Sequence, residues 1–168
     1  MIMWIKMALI SSESKIVLLA IVFGIAVIQV WNVPRTSLAR TVKPEDVSGP
    51  VYRGEAGAFD QFYVSYVFEN SGRTAVEIVR VEPTILLNGT DYGSVQTTHG
   101  LAVVPPGSEA EVVRVVQLAN APIGFVEGQR WNVTVVTEIV AESGFLLFEH
   151  RRAVTNVTGV DWEVHLFE

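Results

Sequence analysis

Two hydrophobic rhythms divide the chain. From Ile16 to Trp31 the sequence IVLLAIVFGIAVIQVW is apolar on every side, interrupted only by Gly24 and Gln29. Beyond residue 50, short runs of Val, Ile, Phe, Tyr and Thr alternate with polar positions. A helix apolar all round has no face to give to water, so its surroundings must be lipid or protein. At 1.5 Å per residue the first run makes about 24 Å of helix, a little short of a hydrocarbon core of about 30 Å. Asn32 and Val33 extend it, Lys15 can reach back to the headgroups, and Trp31 suits the interfacial belt. Residues 1–33 are therefore expected to form an N-terminal membrane anchor that meets the bilayer through residues 16–33. Two alternatives stay open. Ser37-Leu38-Ala39 places small residues where a signal peptidase cuts, which would release the rest of the chain after Ala39. The run could also be a buried core helix.

Residues 34–50, PRTSLARTVKPEDVSGP, contain three prolines, a glycine and mixed charges without an apolar period. They read as a linker that lifts one domain, 51–168, off the membrane. In that domain Phe62, Val64, Tyr66 and Phe68 form one apolar strand face, and Asn70-Ser71-Gly72 turns the chain. Ala75 to Asn88 gives a long strand interrupted by Pro83, which suits an edge or a bulge. Asn88-Gly89 is a hairpin signal, and Pro105-Pro106-Gly107 is a type II turn signal because proline fixes φ while glycine accepts positive φ. Further strands are expected over Glu109–Leu118, Trp131–Val140, Phe145–Val154 and Val160–Phe167. The last alternates Val160, Trp162, Val164 and Leu166 with Asp161, Glu163 and His165. About seven such strands without helices predict an all-β domain, an immunoglobulin-like or fibronectin III-like β-sandwich, with an open barrel as the alternative.

Composition narrows the chemistry. The chain has no cysteine, which excludes disulfides, thiolate metal sites and a cysteine nucleophile. Residues 51–168 hold seven arginines, no lysine and fifteen carboxylates, a formal charge of −8. Nucleic-acid affinity comes largely from clustered cations, so a nucleic-acid partner is not expected. His99, His150 and His165 lack a second ligand at metal-binding spacing and read as surface or loop residues. A cleft gathering one of them beside a carboxylate would argue for an enzyme. Asp161 with Glu163, and Glu109 with Glu111, share strand faces and read as solvated pairs rather than as acid–base or calcium sites. Arg151-Arg152 could meet an acidic headgroup or partner. Phe59, Phe62, Tyr63 and Tyr66 read as core before they read as a binding stripe. No nucleophile elbow, phosphate loop or dinucleotide fingerprint occurs. No catalytic residue, metal or cofactor is expected. Asn88, Asn132 and Asn156 each open an N-x-Thr sequon and are candidate N-glycosylation sites, which favours export of the domain.

The stretch FYVSYVFENSGRTAVEIVRVEPTILLNGTDYGS and the later VVPPGSEAEVVRVVQL resemble the late embryogenesis abundant group 2 family, the water-stress and hypersensitive-response domain. The shared features are the strand Val64–Asn70 ending in an Asn-containing turn, the strand running into Leu86-Leu87-Asn88-Gly89, and Pro106-Gly107-Ser108 opening Val112–Leu118. The family's usual Asn-Pro-Asn turn is here Asn70-Ser71-Gly72. The resemblance implies a small β-sandwich, often membrane-anchored, linked to stress or desiccation protection and without catalytic residues. The same segment is similar to CARDB-type adhesion modules, and the order of anchor and sandwich is similar to archaellum stator proteins. The expected role is a single-pass, non-catalytic module whose extracytoplasmic domain binds a protein or glycan of the cell envelope. The alternative is a subunit of an envelope or motility assembly.

Overall fold

A computed structural model of the chain describes residues 12–55, 58–94, 100–117 and 129–163, with the backbone alone for 12, 48–55, 58–61, 94 and 160–163. One helix, α1 (Ser12–Thr41), precedes eight strands: β1 (Asp46–Glu55), β2 (Ala58–Asn70), β3 (Val76–Leu87), β4 (Thr90–Ser94), β5 (Ala102–Val104), β6 (Ser108–Gln117), β7 (Arg130–Phe145) and β8 (Phe148–Glu163). All described pairings are antiparallel. The strands form two sheets, β1-β2-β6 and β4-β3-β7-β8, with β5 also paired to β3.

The alternation in β2 does what its period demands. Phe62, Val64, Tyr66 and Phe68 are fully buried, while the intervening Tyr63, Ser65 and Val67 are half-buried on the other face. They meet Val76, Ile78, Val81, Ile85, Val133 and Ile139 of the second sheet in one core. A polar link crosses that core: Tyr66 Oη lies 2.7 Å from Thr137 Oγ1. Asn88 and Gly89 both take positive φ, 48° and 82°, and close the β3–β4 hairpin. Gly107, at φ 69°, closes the turn into β6, where the Ser108 amide donates to Pro105 O at 3.3 Å.

Two expectations about the elements need correction, and a third, at Pro83, holds locally. The linker 34–50 is not irregular: residues 34–41 continue α1 through Pro34, and 46–50 begin β1. Pro34 is buried, and Thr36 Oγ1 donates back to Asn32 O at 2.9 Å within the helix. Pro83 sits in β3, where β5 pairs only with 76–78 and β4 only with 84–87, so the strand has one neighbour at the proline and is locally the edge that its missing amide suits. A separate register shift lies between Ile78 and Arg80. Finally, the two expected strands 145–154 and 160–167 are one strand over their described part, and β7 runs on past Val140 to Phe145. The alternation expected for Val160 to Leu166 lies outside the described side chains.

Candidate functional site

The place where α1 meets the two sheets is the most elaborated part of the structure. Pro34, Ser37, Leu38 and Thr41, followed by Val42, lie on one side of the last helical turns, and all five are buried. Leu38 and Val42 belong to the core of the sheets. Their spacing is that of a helix face, with Arg35, Thr36, Ala39 and Arg40 left exposed.

Beneath this stripe lies the β2–β3 turn. Ser37 Oγ accepts from the backbone amides of Arg73 at 2.9 Å and Thr74 at 3.0 Å, and Arg40 Nη1 donates to Ser71 O at 2.7 Å. A Cβ on Gly72 would fall 2.2 Å from Ser37 Oγ and 2.4 Å from its Cα, so the helix can approach only because residue 72 has no side chain. Fully buried Asn70 holds the turn from inside: its Nδ2 donates to Thr74 O at 2.8 Å and Val104 O at 2.9 Å, and its Oδ1 accepts from the Gly72 amide at 2.9 Å. Ser143 of β7 closes the arrangement, donating to Ala75 O at 3.1 Å and lying 3.0 Å from Thr74 Oγ1.

Towards the N-terminus the same helix runs beside the β7–β8 hairpin. The Trp31 ring lies 5.5 Å from Phe148 and 6.1 Å from His150, and the Arg35 guanidinium sits 5.0 Å over it. Further up, Ile16, Leu19 and Phe23 are 69%, 74% and 70% exposed, which rules out the core-helix alternative. The helix is long and apolar enough to cross a membrane, and none of its most apolar window is buried.

The sequence candidates are dispersed over this frame. Asn88 and Asn132 are exposed at the end of the sheets opposite α1, where the Asn132 amide donates to Asn88 Oδ1 at 3.1 Å; Asn156 is half-buried in β8. His150 lines a cleft of about 580 Å³ with Glu77, Glu142 and Glu149. Glu142 there pairs with Arg151 at 3.6 Å, and the Ser143 hydroxyl is committed to Ala75 O, so it has no proton to give an imidazole. His99 and His165 lie outside the described residues, as do the side chains of Phe59, Asp161 and Glu163. Glu109 and Glu111 are exposed, and Glu111 accepts from Ser65 Oγ. Arg151 and Arg152 are exposed close to the start of β8, and Phe62 and Tyr66 are core. Among the described residues no group of three or more His, Asp or Glu is placed to hold a metal ion. Ser37 and Gly72 were read from sequence as parts of a cleavage motif and of a turn, not as a helix docked on that turn, and Ser143 was not singled out; the helical spacing of 34, 37, 38, 41 and 42 was the available signal.

No family model matches the sequence, and no curated protein matches it. Among solved structures, a crystal structure of a protein from Archaeoglobus fulgidus is similar at 10% identity, covering 73% of this chain and 100% of that one, with a TM-score of 0.47.

Proposed function

We propose that this protein is a membrane-anchored, non-catalytic β-sandwich module whose domain faces the cell exterior and binds envelope components. The observation that carries the reading is the docking of α1. A helix whose upper turns are exposed and apolar has its last two turns built into the core of the sheets. Such a domain is held at the bilayer by its own fold. The strand order β1-β2-β6 against β4-β3-β7-β8 supports an immunoglobulin-like or fibronectin III-like arrangement. The segments that resemble the late embryogenesis abundant group 2 family fall at the turns 70–72, 88–89 and 106–107, which supports a stress-related role. A binding surface is offered by the outer face of the three-stranded sheet, where Val113 and Val115 are 52% and 41% exposed and pair with Ser65 and Tyr63.

Fractionation of cells expressing the full chain, followed by protease treatment of intact cells, tests the reading. Recovery in the membrane fraction with external cleavage supports it; a soluble, cytoplasmic protein sinks it. One observation favours the second reading, a subunit of an envelope assembly: β8 is a sixteen-residue strand at the end of its sheet, the kind of edge that pairs with another chain. Cross-linked oligomers in mild detergent support it, and a monomer argues against it.

A further inference from the structure

We propose that the tip of the β7–β8 hairpin, Phe145-Leu146-Leu147-Phe148, is a second membrane contact that inserts into the headgroup region of the bilayer crossed by α1. The inference rests on the reading of α1 as a spanning helix. The tip chemistry is the first observation. Leu146 and Leu147 are 82% and 95% exposed and Phe145 is 38% exposed, so the apolar side chains sit where a soluble hairpin carries polar ones. Leu146 also takes φ 58°, a left-handed conformation that hairpins normally give to Gly or Asn. The β3–β4 turn of this same chain meets that demand with Asn88-Gly89. Leucine at 146 therefore serves neither solvation nor turn geometry, and a lipid environment accounts for it.

Position is the second observation. From Ser37, docked on the β2–β3 turn, α1 climbs six residues, about 9 Å, to Trp31. From Glu142, the last β7 residue paired with β3, the hairpin arm extends three residues, about 10 Å, to Phe145. Helix and arm rise together, and the contact of Trp31 with Phe148 and His150 shows them side by side. Trp31 ends the apolar run, at the level where an aromatic belt lies. The tip is at that level too. A run of about 24 Å in a core of about 30 Å also draws this level down towards the lipid.

Charge is the third observation. Although residues 51–168 carry −8, Arg35 lies over Trp31, and Arg151 and Arg152 follow the tip on β8. Arg151 is paired with Glu142, and Glu149 lies next to Phe148 on the same strand. Arg35 and Arg152 beside an apolar tip are suited to lipid phosphates.

The absence of cysteine makes the test direct. Single cysteines at Leu147→Cys, Thr90→Cys and Gly24→Cys, the last in open space, are labelled with an environment-sensitive fluorophore in the full chain, reconstituted into phosphatidylcholine vesicles. Lipids carrying a nitroxide at a shallow or a deep chain position serve as quenchers. The proposal expects blue-shifted emission at 147, quenched by the shallow nitroxide, with Thr90→Cys responding only to aqueous iodide. A 147 label that behaves like the one at 90 overturns it. So does a 147 label shielded from iodide yet untouched by lipid quenchers, which would mean that protein covers the tip. Loss of deep quenching at 24 overturns the spanning reading itself, and quenching at 24 without quenching at 147 overturns only the hairpin contact. In Leu146→Asn/Leu147→Gly, whose turn copies Asn88-Gly89 and so keeps the hairpin, a label at Glu149→Cys is expected to lose its lipid quenching. Persistent quenching there overturns the assignment to the leucines.

Discussion

Burial pushes the Tyr66 hydroxyl up from 10.0 to about 12, because the phenolate would lose its water in the core; the hydrogen bond to Thr137 and the charge of Arg114 pull weakly the other way. The folded chain thus keeps this proton at pH values where the unfolded chain has lost it. Stability from this group is constant below pH 10, falls between about 10 and about 12, and levels off above. Two pH units correspond to roughly 2–3 kcal/mol. Tyr66→Phe is expected to remove that alkaline decline while costing about 1 kcal/mol at neutral pH, since Thr137 Oγ1 is left buried without its partner. Chemical denaturation of both chains in detergent from pH 8 to 12, followed by circular dichroism, checks the difference. At the same scale, Ser37→Ala leaves the amides of Arg73 and Thr74 without their acceptor. A loss of about 1–3 kcal/mol is expected in the same denaturation assay, with the secondary-structure signal at neutral pH unchanged.

Among the elements, legibility followed the kind of force that decides each one. β2 was readable because every second residue is apolar and the buried face is paid in side chains alone. The turns at 88–89 and 107 were readable because backbone geometry at positive φ selects Asn and Gly directly. The end of α1 was hidden because its buried stripe is Pro34, Ser37, Leu38, Thr41 and Val42, of which only two are plainly apolar. Ser37 is buried for its oxygen, and nothing local announces the turn that needs it. The β7–β8 connection was hidden by a conflict: Ser143-Gly144 looks like a turn and Leu146-Leu147 like a strand, yet Ser143 is held by Thr74 and Ala75, which carries β7 onward to the leucines. If the helix end is part of the fold, Leu38→Ala in the full chain should lower the unfolding free energy of the sheets by about 2–5 kcal/mol, the range for a buried leucine. Gly72→Val should do the same by lifting α1 off the turn. Unfolding in micelles, followed by the β signal rather than the helix signal, reads both. Unchanged midpoints would mean that α1 is only a leash.

For the whole molecule, with α1 spanning the bilayer as proposed, docking changes how a short anchor meets a thick membrane. A flexible linker would let the domain ride at any height, with the mismatch absorbed by the helix alone. Here residues 34–42 are helix and core, so the height of the sheets follows the height of Trp31. A bilayer whose core exceeds the apolar run, about 24 Å long, must thin locally or pull the Trp31 level inward, and each brings the hairpin tip closer to lipid. A thin bilayer leaves Trp31 and the tip further out. In vesicles of phosphatidylcholines of increasing chain length, the label at Leu147→Cys should therefore become progressively less accessible to iodide. The same label in a Gly72→Val background, where the helix can no longer seat on the turn, should lose that dependence, because the domain then moves independently of its anchor. Equal thickness dependence in the two backgrounds would show that the height of the domain is set by the hairpin itself rather than by the helix.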